Sequence, residues 1–166
     1  MDDTVRMTGV LDPRGDWEAT SCSIARALEV VSTRTAFLLL REAFYGATRF
    51  DEFVARAGAS EPVTAARLRE LVDGGLLVKE PYKEPGERTR QGYRLTDKGH
   101  ELLPVLVALM QWGDRYAASP AGPQALLTHR DCGEPIGLEL VCAAGHTVES
   151  AREVTPLPGP GARKIA

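Results

Sequence analysis

No stretch of this 166-residue chain approaches eighteen consecutive apolar residues, so the pattern carries no membrane-spanning helix. A basic-then-apolar leader is missing too, since the first twenty residues, MDDTVRMTGVLDPRGDWEAT, are polar. Cysteine is scarce and odd in number, three in all. That excludes a disulfide scaffold and points to a cytoplasmic chain with no membrane partner. Charge of one sign is lacking: the formal net charge is −3, so any contact with a polyanion must rest on a local patch. Catalysis has no visible basis, because no Ser-His-Asp arrangement, phosphate-cradling glycine loop or paired carboxylate motif stands out. No cofactor is expected. What remains is the composition of an ordinary globular protein, 43% hydrophobic and 26% charged, long enough for one cored domain and an appendage.

The densest information lies between Phe50 and Gly99. RFDEFVARAG reads as a short helix opened near Asp51, with Phe53, Val54 and Ala57 inward and Gly58 as its stop. Ser60 is a good N-cap and Pro62 suits a first turn, so a second helix starts there and runs to Gly74-Gly75. Its expected inner residues are Ala65, Leu68, Leu71 and Val72, and its outward ones Val63, Thr64, Ala66, Arg67 and Glu70. LLVKEPY and QGYRLT flank the turn signal Pro85-Gly86 and read as a two-strand ribbon. Two short helices followed by a ribbon with a basic tip are the sequence form of a winged helix-turn-helix. That architecture places one helix in the DNA major groove and a loop on the backbone. Thr64 and Arg67, with Val63 beside them, are the expected base-reading residues; Lys83, Arg88 and Arg90 are the expected phosphate contacts. One observation pulls the other way. Residues 60–100 hold eight Lys and Arg against seven Asp and Glu, a nearly neutral patch.

Around this segment the expected fold class is mainly α with a small β-ribbon. Residues 1–20 form an N-terminal arm, 21–118 the winged helix-turn-helix and dimerisation domain, 119–155 a C-terminal hairpin extension, and 156–166 a disordered tail rich in Pro and Gly. CSIARALEVVS is amphipathic through Ile24, Ala27, Leu28 and Val31. TRTAFLLLREAFYG is apolar almost all round and should be the buried central helix, ended by Gly46. Thr96 is expected to cap one long helix through KGHELLPVLVALMQWGDRYAA, with His100 on its surface. Its apolar residues, including Leu106, Leu109, Met110 and Trp112, exceed what a small domain buries, which suggests a partner subunit.

Residues 22–116 resemble the HxlR-type family of winged-helix transcriptional regulators, relatives of the MarR group. The motifs that carry the resemblance are CSIARALEVV, LLLREAFYGATRFDEF, TAARLRELVDGGLLVKEPY, YRLTDKG and LLPVLVALMQWGDR, in the family's order. The tail HRDCG…LVC…AREV…PGPGA resembles the extension of longer members. The resemblance implies a homodimer, joined through its N-terminal segment and the helix containing Leu102 to Trp112, whose two recognition helices read a palindromic or repeat operator in double-stranded DNA. The expected role is that of a repressor more than an activator. Two departures are visible. Ser23 follows the first cysteine where the family usually has Pro, and Ser32-Thr33-Arg34-Thr35 stands where it tends to show Gly-x-Arg-Trp.

Three further constellations carry chemistry. Cys22 begins a helix with Arg26 one turn on, and the resemblance implies a residue whose modification alters DNA affinity; the plainer reading is a small residue at the dimer interface. Trp17, Leu106, Met110 and Trp112 could line a pocket for a small apolar effector between subunits, or simply pack the interface. His129, Cys132, Cys142 and His146 form H-x2-C-x9-C-x3-H, a set able to hold zinc tetrahedrally, although a metal-free hairpin is the favoured reading. The rival to a DNA-reading regulator is a winged-helix module that binds a ligand or protein and lacks sequence-specific DNA affinity.

Overall fold

The structure, a computed structural model, describes residues 22–31, 33–163 and 165. The expected N-terminal arm, Trp17 and Ser32 lie outside the described residues. Helices α1 (Ser23–Val30), α2 (Arg34–Phe44), α3 (Phe50–Ala57) and α4 (Glu61–Asp73) are followed by strands β1 (Leu77–Tyr82) and β2 (Arg90–Leu95), then by α5 (Asp97–His100) and α6 (Leu103–Tyr116). The fold is mainly helical with one two-stranded antiparallel sheet, as expected for a winged helix-turn-helix. The described residues divide into two units, one within Ala27–Ala125 and the other formed by residues 22–26 with those described after 125.

Within the first unit, helical spacing decides what is buried. Ala36, Leu39 and Leu40 of α2 fall at steps of three and four and are sealed in the core with Phe53, Ala57, Leu68 and Leu71 of α3 and α4. Thr33 caps α2 by accepting the Ala36 N–H at 3.1 Å. The ribbon pairs Leu77 with Leu95 at its base and Tyr82 with Arg90 at its tip, so both basal leucines close the core. It is also docked along its edge. The Tyr93 N–H donates to the Thr48 carbonyl at 2.8 Å, and the Tyr93 and Phe53 rings meet edge to face at 5.9 Å. Gly92 is required at this seam, because a Cβ there would stand 2.9 Å from the Thr48 oxygen.

The long helix expected after Thr96 is in fact two. Thr96 does cap the start, its Oγ1 accepting the Gly99 N–H at 3.1 Å while donating to the Gly75 carbonyl at 2.6 Å. The chain then turns at Glu101-Leu102 and restarts as α6, with Pro104 in the new first turn. Proline has no N–H to give to a preceding turn, so a helix start is where it fits without loss. Gly99 is fixed by close approach: a Cβ there would lie 2.3 Å from the Leu76 carbonyl oxygen.

In the second unit two chain reversals are each closed by an isolated bridge, Thr128 with Pro135 and Val141 with Thr147, and a 3-10 turn spans Ala151–Glu153. The hairpins expected here amount to these single bridges rather than to extended strands.

Candidate nucleic-acid interface

Helix α3 is anchored at its start by Glu52, whose Oε2 accepts the backbone N–H of Thr48 and of Arg49, both at 2.9 Å. Those bonds, the one from Arg49 first, hold the Glu52 carboxyl below the usual carboxylate range. The helix ends on Gly58 in the left-handed conformation at φ 64, and Ser60 then leads into α4. The α3–turn–α4 arrangement expected from the sequence is therefore present, with Phe53 and Ala57 of the first helix and Leu68 and Leu71 of the second in one cluster.

The faces of α4 differ from expectation at one position. Thr64 does not point outward. It is 0% exposed and shares the buried face with Leu68 and Leu71, at steps of four and three. Because α4 begins at Glu61, the inward stripe starts a residue earlier than the spacing from Ala65 suggests. The Thr64 Oγ1 finds no hydrogen-bond partner, so its hydroxyl belongs to the core and touches no base. The exposed side of α4 carries Glu61, Pro62, Val63, Arg69 and Glu70, with Arg67 half-buried among them. Val63 and Arg67 lie one helical turn apart.

At the wing, Lys83, Arg88 and Arg90 are all exposed, and Gly86 at φ 83 turns the tip. Arg90 Nη2 lies 2.9 Å from Glu87 Oε2, while Arg67 is paired with Glu70 on its own helix. A residue the sequence reading passed over ties the wing to the helices. Arg49, at the N-terminus of α3, pairs with Glu84 near the wing tip and holds its guanidinium over the Tyr82 ring at 5.2 Å. The Glu84 carboxylate pushes the already high Arg49 pKa further up. Nothing in the spacing around Arg49 signals this contact, which depends on how the ribbon folds back.

The remaining candidates are scattered. Leu106 is buried in the core, so it lines no open interface. Met110 is half-buried and borders a cleft of about 570 Å³ with Arg41, Glu42, Tyr45, Arg56 and Asp114. The Tyr45 hydroxyl lies 3.7 Å from its sulfur. Trp112 is exposed on another side, in ring contact with Tyr116. The structure thus does not gather Leu106, Met110 and Trp112 into one pocket. Cys22 is exposed immediately before α1, its carbonyl accepting the Arg26 N–H at 3.0 Å. His100 is exposed, with its ring edge-on to Phe44.

Cys132 Sγ lies 3.3 Å from His129 Nδ1, and Cys142 sits in its own turn, where the backbone N–H groups of His146 and Ala144 draw its thiol pKa down. Among the described residues no three His, Cys, Asp or Glu side chains stand together as a metal-holding group. No helix among them is long and apolar enough to cross a membrane.

Comparison with known proteins agrees with this geometry. The model of a family described as HxlR-like helix-turn-helix matches residues 30–120. An HTH-type transcriptional regulator of Mycobacterium tuberculosis (strain ATCC 25618 / H37Rv) is 45% identical over 139 residues, covering 84% of this chain and 87% of that protein. Among solved structures, the crystal structure of PA1607, a candidate transcription factor, is 40% identical with a TM-score of 0.70, over 78% of this chain and 89% of that one. The candidate transcription factor PA1374 from Pseudomonas aeruginosa is 34% identical with a TM-score of 0.58, over 86% of this chain and 95% of that one.

Proposed function

The chain belongs to the HxlR-like helix-turn-helix family of transcriptional regulators, and from that premise we propose that it is a homodimeric repressor reading a two-fold symmetric DNA operator. It is a regulator rather than an enzyme. In this reading α4 enters the major groove with Val63 and Arg67 toward base edges, and Lys83, Arg88 and Arg90 of the wing meet phosphates. The observation that carries it is the division of α4: one face is sealed by Thr64, Leu68 and Leu71, while Glu61, Pro62, Val63, Arg69 and Glu70 on the other are exposed. A helix so anchored and so exposed is built to be inserted into something.

The dimer is supported by α6. Val105, Leu109, Trp112 and Tyr116 recur at steps of four, three and four along one face, and all are exposed, Trp112 at 61%. On α1, Ile24 and Leu28 are exposed as well. A pair of subunits doubles the recognition contacts, which matters when each half carries a nearly neutral patch. Release from DNA would come through an effector, for which the cleft at Tyr45 and Met110 offers space, or through modification of exposed Cys22.

Selection from a random duplex pool, followed by gel shift, tests the reading. The chain should enrich a palindromic or repeated site. Arg67→Ala should then lower affinity for that site by about 1–3 kcal/mol and relax the preference at one base position. An unchanged affinity and preference would show that α4 does not read bases through Arg67. The near-neutral charge of residues 60–100 favours the rival, a winged-helix module that binds a ligand or protein. A folded dimer that enriches no sequence would favour that rival.

A further inference from the structure

The near-neutrality of residues 60–100 has a geometric counterpart. Of the arginines there, Arg67 pairs with Glu70 one turn along α4, and Arg90 Nη2 lies 2.9 Å from Glu87 at the wing tip. Arg94 Nε lies 3.3 Å from Glu80 on the facing strand. Lys79, Lys83 and Arg88 make no ion pair within 4 Å among the described residues. Every paired acid of this segment thus sits on an arginine, whereas Arg69 and Arg88 are left open together with the lysines of the ribbon among the described residues. Both Glu70 and Glu87 face solvent, with side chains 54% and 43% exposed, so neither is held where it is by burial.

We propose that Glu70 is a specificity-determining residue that occupies one nitrogen of Arg67 and presents the remaining donors of that arginine to the operator, while Glu87 only offsets the charge of the phosphate-facing Arg90. The inference rests on the DNA-binding reading above. A guanidinium has five N–H donors in a rigid fork, and Glu70 engages Arg67 through Nη1. The opposite edge can still pair with a guanine while the carboxylate fixes its direction. On DNA of arbitrary sequence no such edge is matched, and binding depends on how many phosphates meet an uncompensated cation. There the Arg67–Glu70 and Arg90–Glu87 pairs present almost no net charge. Both carboxylates thus weaken binding to any duplex, but Glu70 also orients the fork that meets a base in the sequence-matched complex, which separates the two affinities.

The experiment compares the wild-type protein with Glu70→Gln, Glu87→Gln, the double variant and Asp73→Asn. Asp73 lies on α4 and makes no ion pair within 4 Å, so its variant changes the same charge without uncovering an arginine. The probes are the duplex that the wild type enriches from a random pool and a scrambled duplex of equal length. Affinities are measured at about 50 and 200 mM salt, where phosphate contacts separate most clearly. The double variant should bind the scrambled duplex about tenfold more tightly and the enriched duplex about threefold or less, with a steeper salt slope on the scrambled duplex. Asp73→Asn should move both duplexes by the same factor. Equal tightening on both duplexes by the double variant, or a rise in selectivity, would overturn the inference. Thermal unfolding of the single variants guards against a folding defect; Glu70→Gln alone should lower selectivity, and Glu87→Gln alone should tighten both duplexes by a similar factor. If the wild type enriches no sequence, the DNA reading fails and this inference with it. Selective enrichment with an unaltered ratio sinks the inference alone.

Discussion

Helices α2 and α6 are both rich in apolar residues, yet the chain treats them differently. In α2 the apolar positions Ala36, Leu39 and Leu40 are sealed by α3, α4 and the base of the ribbon. In α6 only Leu106 and Val107 are buried, while Val105, Leu109, Trp112 and Tyr116 stand in water. Hydrophobic content alone therefore says that a surface is meant to be covered, not what covers it. The first helix is a core element of this chain. The second is half core and half unpartnered face, and the distinction can be broken by substitution.

The largest effect should come from α2. Leu40 is fully buried at the centre of the cluster, and Leu40→Ala removes its side chain from a site walled by several helices. Urea unfolding should show a loss of about 2–5 kcal/mol, the transfer term plus the cavity left behind. A loss under about 1 kcal/mol would mean that the site collapses freely and that α2 is not the central element.

Helix α4 carries the same contrast within a single element, and Thr64 marks the boundary between its faces. Its buried hydroxyl has no partner, so the site bears the desolvation of a polar group for no bond in return. Thr64→Val keeps the shape and removes that group. Stability should rise by about 1–3 kcal/mol in thermal or urea unfolding. DNA affinity should be unchanged, in contrast to Arg67→Ala. A loss of affinity without a loss of fold would return Thr64 to the reading face.

These cases show where the sequence was readable and where it was not. The helix-turn-helix from Asp51 to Gly74 was legible because Gly58, Ser60 and Pro62 punctuate it and the leucines repeat with helical spacing. The ribbon was legible from Pro85-Gly86 between two extended runs. Thr64 lies inward against the expectation because threonine, part methyl and part hydroxyl, gives no clear polarity signal, and a shift of one residue rotates a helix by about 100°. The break at Glu101-Leu102 was hidden by continuous helical periodicity on both sides, although Pro104 marked where a new first turn would fit. The pairing of Arg49 with Glu84 joins residues thirty-five apart, and no local pattern contains it. Within the candidate interface, then, the placement of cations followed from sequence, but their carboxylate partners did not, because ion pairs depend on side-chain directions that folding alone sets.

The smallest effect on the fold, and the sharpest test of the contrast between α2 and α6, lies at Leu109. This residue is 55% exposed in the middle of the α6 stripe, so in a lone subunit Leu109→Arg exchanges one solvent-facing side chain for another. Stability measured at high dilution should move by no more than about 0.5 kcal/mol, since arginine is a good helix former and the site touches no core residue deeply. Association should respond far more. If α6 is the seam of the proposed dimer, the wild type sediments with the mass of two chains and unfolds at a temperature that climbs with protein concentration. The variant should sediment as one chain, because its guanidinium would be desolvated against an apolar partner with no carboxylate to meet it. Operator affinity should fall with it, since each half would then bind alone. A variant that remained a dimer would place the seam elsewhere and leave the exposed stripe of α6 to a different partner.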